Sequence, residues 1–252
     1  MSDASPAAHG RRDPALFGQT LVVIGGSAGI GLATARQARA EGATVILTGR
    51  DPERLRTAAA EVEARSTAAF DANDPDSLRQ FFSELPGPID HVLVTAGSPA
   101  YGRLLDMDSE QARRAISAHM VLALDVARHA VTTVRPGGTL LLLGGTGARR
   151  LRAGLGTAPA ATAAMPVFTA GLALELAPVR VNLIAAGFVD TPLSARLLGD
   201  HLEARREELR ATLPIGRVVV PEDVAALAVH IMTNTALTGA TYDVDGGQQL
   251  VG

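Results

Sequence analysis

The chain contains no cysteine. Disulfides, zinc–thiolate sites and a cysteine nucleophile are excluded. It also contains no lysine: all 23 basic residues are arginine. A Schiff-base lysine, a phosphate-loop lysine and any step that needs an ammonium group go with it. Arginine is no substitute as a proton donor, because a guanidinium stays charged across the working pH range. Tryptophan is absent and tyrosine occurs twice, so phenol chemistry is confined to Tyr101 and Tyr242. A basic excess is missing too: the net charge is −3. A nucleic-acid binder would need a basic surface to displace counterions. No apolar run approaches the roughly 18–20 residues that span a bilayer.

What is present is a globular composition, 47% hydrophobic and 19% charged over 252 residues. That length suits one large α/β domain. Residues 1–18 lack an apolar core segment and do not read as a signal peptide. They are expected to form a disordered leader on a cytoplasmic protein, with the folded domain over 19–252. From Thr20 short apolar runs recur at Leu21–Ile24, Thr44–Leu47, Ala68–Phe70, His91–Val94, Leu140–Leu143, Val181–Ile184 and Ala240–Val244. Most are too short for helices and rich in Val, Ile and Leu, as strands buried on both faces are. Helical patterns lie between them: Gly29–Ala40, Asp51–Ala64, Asp74–Glu84, Asp108–Val134, Pro159–Ala177 and Pro221–Met232. Asp51-Pro52 and Asp74-Pro75 are helix starts, with a capping carboxylate before a proline. Pro136-Gly137-Gly138 should end the long fourth helix, and Pro166 should kink or break the fifth. The alternation predicts a parallel sheet with helices on both faces. An open doubly wound sheet and a closed eight-fold barrel compete, and the first crossover decides between them.

That crossover runs from Leu21–Ile24 into Gly25-Gly26-Ser27-Ala28-Gly29-Ile30-Gly31 and then a helix. Glycines allow a tight turn and close backbone approach, and the helix start offers free N–H groups and a favourable dipole to a pyrophosphate. A plain βα turn has no need of four glycines in seven residues. The second strand ends Thr48-Gly49-Arg50. An acid near this place would bind a ribose 2′-hydroxyl, but Gly49 stands there. Arg50 instead offers a bidentate guanidinium to a 2′-phosphate, which favours NADP(H) over NAD(H). The alternative is an ordinary exposed arginine at a helix start.

With these residues in view, the chain resembles the short-chain dehydrogenase/reductase family from Thr20 to Gly252. The resemblance implies a single Rossmann domain with a parallel seven-stranded sheet. It makes Gly25–Gly31 the glycine motif, with Gly25, Ser27, Gly29, Ile30 and Gly31 on the cofactor. It places Asp71 and Ala72 at the adenine, and Thr95-Ala96-Gly97 is similar to the family's Asn-Ala-Gly, with Ala96 and Gly97 at the cofactor. Gly187, Val189 and Thr191 fall in the segment that touches the nicotinamide. Pro221–Ala225, Thr238-Gly239 and Val244–Gly247 complete the pattern. Dimers or tetramers packed through the two long helices are also implied.

The catalytic residues do not carry over. The family uses Asn, Ser, Tyr and Lys. The matching positions hold His119, Gly145, Ala158 and Thr162, and no lysine exists elsewhere to replace the last. Three side chains are candidate replacements. His119 can act as a general acid near neutral pH, or can be a helix histidine bonded to backbone. Tyr101, in the loop after Gly97, can donate a proton or stack on a ring, or can be a surface aromatic. Thr146 can hold a substrate oxygen or cap a turn. Arg149, Arg150 and Arg152 can receive an anionic substrate or can be solvated loop charge. Arg205, Arg206 and Arg210 alternate with Glu203, Glu207 and Glu208 and read as an exposed ion-paired helix.

Three functions follow. The first is NADP(H)-dependent hydride transfer to or from a small organic substrate, a carbonyl or an imine, with a non-standard or absent protein acid. The second is a non-redox cyclase, dehydratase or isomerase on the same scaffold. The third is a catalytically inactive nucleotide binder. None of them calls for a metal.

Overall fold

The computed structural model describes residues 13–97, 99–149 and 151–251, without the side chains of Ser117 and Ala118. Its strands are β1 (Thr20–Ile24), β2 (Thr44–Gly49), β3 (Ser66–Ala69), β4 (Ile89–Val94), β5 (Val134–Gly145), β6 (Arg180–Ala186) and β7 (Thr241–Val244). The helices are α1 (Gly29–Ala40), α2 (Pro52–Glu61), α3 (Pro75–Ser83), α4 (Ser109–Ile116) and α5 (Leu122–Thr133). They continue with α6 (Ala158–Glu175), α7 (Pro192–Leu198), α8 (Leu202–Thr212) and α9 (Pro221–Thr233). The strands pair in the order β3-β2-β1-β4-β5-β6-β7, every pair parallel. This is the open doubly wound sheet, not the barrel. The order reverses at β1, whose neighbours are β2 and β4, so a crevice opens beyond the carboxyl ends of β1 and β4.

Strand residues alternate between two cores because successive side chains point to opposite faces. Val22, Ile24, Val92, Val94, Leu140 and Leu142 pack with α3, α5 and α6. Leu21, Val23, Val45, Leu47, Leu93 and Leu141 pack with α1, α2 and α9. Small residues on the second face, Ala35, Ala38 and Ala228, let α1 and α9 approach closely. Both expected Asp-Pro starts form. Asp51 accepts from the N–H groups of Glu53 and Arg54, and Asp74 from that of Asp76.

Four expectations need correction. The leader is shorter than 18 residues: Leu16 is fully buried in the second core and its N–H bonds the Glu41 carbonyl at 2.9 Å. Residues 1–12 lie outside the described residues. The helix expected over Asp108–Val134 is interrupted by a π-helical turn, Ser117–Val121, between α4 and α5. Pro136-Gly137-Gly138 lies inside β5 and does not serve as a bare terminator. Gly138 passes so near β4 that a Cβ would lie 2.4 Å from the Asp90 carbonyl oxygen. Pro166 does not end α6, which runs unbroken for 18 residues. Buried Met165, Thr169 and Leu172 hold the helix on both sides of the bond that proline cannot make.

His91 on β4 is buried and its Nε2 lies 2.6 Å from the Gln19 amide oxygen. Burial, with the charges of Arg180 and Arg135, lowers its pKa from 6.5 to about 3. The fold holds the neutral ring, so its contribution is whole above pH 6.5 and drains away as pH falls towards 3. Urea denaturation should therefore show stability falling with acid across this window, and His91→Gln should flatten that slope. An identical slope in the variant would refute the assignment.

Candidate active site

The glycine loop joins β1 to α1 at the switch point. Gly25 has φ +99° and Gly29 φ +54°, conformations that L side chains rarely adopt. Gly31 is held by space: a Cβ there would lie 2.3 Å from the Gly25 carbonyl oxygen and 2.7 Å from Thr95 Oγ1. Thr95, at the end of β4, donates its hydroxyl to that same carbonyl at 2.9 Å. At the start of α1, Ala28 occupies the N-cap with no side-chain acceptor, and the first turn carries no acid. The N–H groups and positive dipole end are thus uncompensated by any side chain, which suits a pyrophosphate. A nicotinamide dinucleotide fits this donor set.

At the outer edge, Gly49 lies against Ser27: a Cβ at 49 would be 3.1 Å from Ser27 Oγ. Arg50 is exposed and forms no ion pair with any described residue, whereas Arg54 beside it pairs with Asp51 at 3.4 Å. Asp71 is exposed and folds back on Asn73, accepting from its backbone and side-chain nitrogens at 3.0 Å each. Ala72 is buried behind it.

The segment after β6 closes the other end. Gly187 donates to the Val244 carbonyl at 3.0 Å, and a Cβ there would meet Asp245 Cβ at 2.6 Å. Val189 is buried and bridges to Val219. Thr191 Oγ1 caps α7, accepting from the Ser194 N–H at 3.1 Å. Thr191 also lies beside the glycine loop, 3.5 Å from where a Gly29 Cβ would be. The two ends expected to hold one dinucleotide therefore border a single crevice. Ala96 and Gly97 follow β4 on the same side of the sheet, Gly97 at φ +129°.

The positions matched to Ser and Lys meet: a Cβ on Gly145 would lie 3.3 Å from Thr162 Cγ2. Thr162 is one turn after Ala158, the first residue of α6, and its hydroxyl is spent on the Pro159 carbonyl at 3.0 Å. Neither side chain supplies an acid. Thr146 is buried, and its backbone N–H bonds Ala186. His119 sits in the π turn, which packs against α6, with Nδ1 3.4 Å from the Ala115 carbonyl oxygen. A carbonyl only accepts, so Nδ1 is the donor in this contact and Nε2 is left facing away from it. Tyr101 is half-exposed on a loop stapled to the segment before α6 by Gly102 N–H to Gly154 carbonyl, 2.8 Å. Partial burial pushes its phenol above the ordinary value, the opposite of what a proton donor at neutral pH needs.

Two arginine readings change. Arg149 is not available to an anionic substrate: it makes a bidentate pair with Asp243, one arm at 2.6 Å, and also bonds Gln249. Arg152 is exposed, and Arg150 lies outside the described residues. Arg206 does more than pair along its own helix. It reaches Asp190, in the segment after β6, through Nε at 2.9 Å and Nη2 at 2.8 Å. Sequence reasoning missed Thr95, Arg206 and Gln248 as supports of the crevice. Thr95 alone had a signal, its place in the family's Asn-Ala-Gly match.

Comparison with known proteins bears on the same residues. The profile of the family described as Enoyl-(Acyl carrier protein) reductase matches residues 25–249. The chain belongs to the short-chain dehydrogenase/reductase family. One relative, short-chain dehydrogenase/reductase ATR9 of Stachybotrys chlorohalonatus, is 28% identical over 93% of this chain and 98% of its own. The solved short-chain type dehydrogenase/reductase of Mycobacterium ulcerans superposes with a TM-score of 0.85 at 26% identity, covering 94% of this chain and 91% of that one. A small-chain dehydrogenase solved in complex with NADPH gives 0.78 at 30% identity, covering 92% and 99%. As a short-chain dehydrogenase/reductase, this chain comes from a family of oxidoreductases that act on small molecules. Among its described residues no helix is long and apolar enough to cross a membrane, and no cluster of His, Cys, Asp and Glu could hold a metal ion.

Proposed function

We propose that this chain is an NADP(H)-dependent oxidoreductase whose substrate needs no proton from a protein phenol or ammonium. One observation carries the reading. The crevice has the glycine loop at one side and Thr191 beside it, while the positions matched to the family's Ser, Tyr and Lys hold Gly145, Ala158 and Thr162. NADPH, when bound, supplies a hydride. The residues that would hold it are the N–H groups opening α1 for the pyrophosphate, Arg50 for the 2′-phosphate, and Asp71 and Ala72 for the adenine. Ala96, Gly97, Gly187, Val189 and Thr191 would line the nicotinamide end. The NADPH complex of the 30%-identical relative supports the choice of the phosphorylated cofactor.

A cationic iminium carbon accepts hydride without protonation, so imine reduction suits this site better than ketone reduction. A ketone here would lose the factor of about 10²–10⁴ that a positioned acid supplies. In reverse, hydride leaves a neutral amine and regenerates the iminium with no proton released; His119 is the candidate acceptor only for the proton that an ammonium form of the substrate must lose before that step. Thr146 would border the substrate and Tyr101 its entrance.

Thermal shift with NADPH, NADP⁺, NADH and NAD⁺ tests the cofactor. Ligand at about 100 times its Kd adds about 2.7 kcal/mol of stability, and we expect that shift from the phosphorylated pair alone. Arg50→Ala should weaken NADPH about ten- to hundred-fold and leave NADH unchanged, the effect of losing a charge-assisted pair. Equal loss for both would refute Arg50 as the phosphate reader. NADPH oxidation is then followed on preformed iminium ions and on ketones across pH. No consumption of NADPH with either would overturn hydride transfer. Turnover without nicotinamide absorbance change would favour the non-redox reading.

We further propose that the protein self-assembles through α5 and α6. Val167 and Leu174 on α6 are 78% and 83% exposed, and Val131 on α5 is 51% exposed. Leu174→Arg should shift the mass measured by light scattering towards the monomer, and an unchanged mass would exclude this face.

A further inference from the structure

The C-terminal turn lies between the two loops that flank the candidate active site. Gln248 Oε1 accepts the Phe188 N–H at 2.8 Å and lies 2.7 Å from where a Gly187 Cβ would be. It thus fills the space that the glycine leaves and holds the segment running on to Val189 and Thr191. The next residue, Gln249, works in the other direction. Its Nε2 donates to Asp243 at 3.1 Å and its Oε1 accepts from Arg149. Arg149 closes the loop that follows Gly145 and Thr146. Asp245, 5% exposed, ties the turn to itself: its two oxygens accept from the N–H groups of Gly247 at 2.8 Å and Gln249 at 3.1 Å. The Arg149–Asp243 pair is only partly exposed, with both side chains committed on more than one bond. Consecutive glutamines therefore hold the two neighbouring loops that follow β5 and β6.

We infer that this turn is a positioning element: Gln248 sets the nicotinamide-side loop 187–191 and the Gln249–Asp243–Arg149 cluster sets the substrate-side loop 146–149. Neither glutamine touches the reacting atoms; each acts through the loop it holds. The inference rests on the proposed function for which side of the crevice each loop serves, but the clasp itself is a property of the free protein. The Phe188 N–H is part-buried, so removing the Gln248 acceptor leaves it short of a partner and loosens its loop. Removing the Asp243 charge releases Arg149 in the same way.

Hydrogen exchange of the free protein, read by mass spectrometry, tests the clasp. Gln248→Leu should speed exchange in the peptide over 187–191 about ten-fold, the size of one lost hydrogen bond, and Gln248→Glu, which keeps an acceptor, should exchange there more slowly than Gln248→Leu. Asp243→Asn should do the same to the peptide over 146–149, while α1 exchanges as in the wild type in all three. NADPH titration followed by its own fluorescence adds the functional side: Gln248→Leu should bind about ten-fold more weakly, and Gln248→Glu more tightly than Gln248→Leu. Unchanged exchange in both loops, or acceleration throughout the chain, would overturn the clasp. If the wild type binds no dinucleotide, the proposed function fails, and the exchange pattern still decides the clasp.

Discussion

Gly31→Ala is expected to abolish dinucleotide binding. The added methyl carbon would sit 2.3 Å from the Gly25 carbonyl oxygen, and that atom is backbone, so no side-chain rotation relieves the contact. The loop must move instead. Moving it breaks the Thr95 hydroxyl bond to the same carbonyl and shifts the N–H groups that open α1. Overpacking of this kind costs about 1–3 kcal/mol of stability, and displaced phosphate donors should weaken NADPH at least about a hundred-fold. Gly171→Ala is the matched control. It lies within α6 with nothing within 4 Å of its would-be Cβ, so it should raise stability by up to about 1 kcal/mol and leave NADPH unaffected. Chemical denaturation and an NADPH titration on both variants check the pair. Near-normal affinity in Gly31→Ala would show that the loop has freedom its packing denies.

Arg180→Met should be the most destabilising single change. Arg180 is 6% exposed, and no carboxylate among the described residues pairs with it. It instead collects six oxygens: Gly137, Ile231, Met232, Asn234 and Leu237 carbonyls at 2.9–3.2 Å, and Thr139 Oγ1 at 2.6 Å. Four of those carbonyls belong to the last turn of α9 and the residues after it, where a helix has acceptors to spare and its dipole favours a cation. One side chain thus ties the start of β6 to the end of α9 and to β5. Methionine fills much of the volume but leaves the oxygens buried without donors. The expected loss is about 3–5 kcal/mol, or a fall in Tm of about 10 °C for a chain this long. Arg180→Lys should recover little, since three donors cannot serve six acceptors spread over a planar fork. A Tm within about 2 °C of the wild type for either variant would contradict this account.

Most of the sheet was legible in the sequence because parallel strands buried on both faces are short apolar runs; β3 is the exception, four small and mostly exposed residues at the edge. The capped starts of α2 and α3 were legible for the same kind of reason: Asp-Pro carries its geometry locally. The π turn was not. Apolar spacing runs through Ile116, Met120, Ala123 and Ala127 at helical steps without a break, and one extra residue in a turn leaves no mark on composition. Gly138 was misread because a close backbone approach and a chain stop both call for glycine, and only the neighbouring strand distinguishes them. In the candidate site, the glycine motif could be read because its chemistry is in the backbone. Arg149 and Arg206 could not, since the partners that claim them, Asp243 and Asp190, are 94 and 16 residues away.

The π turn at Ser117–Val121 is equivalent to one residue spliced into an otherwise continuous helix. Deleting a single codon there would rejoin α4 to α5 in α-helical phase. Because the bulge absorbs its extra residue locally, α4 and α5 would keep their present faces, and only residues within the turn would shift, by about 100° per position. His119 faces its present surroundings only because that insertion is kept. Which way the side chain at 119 faces is therefore set by the length of the turn, separately from which residue stands there.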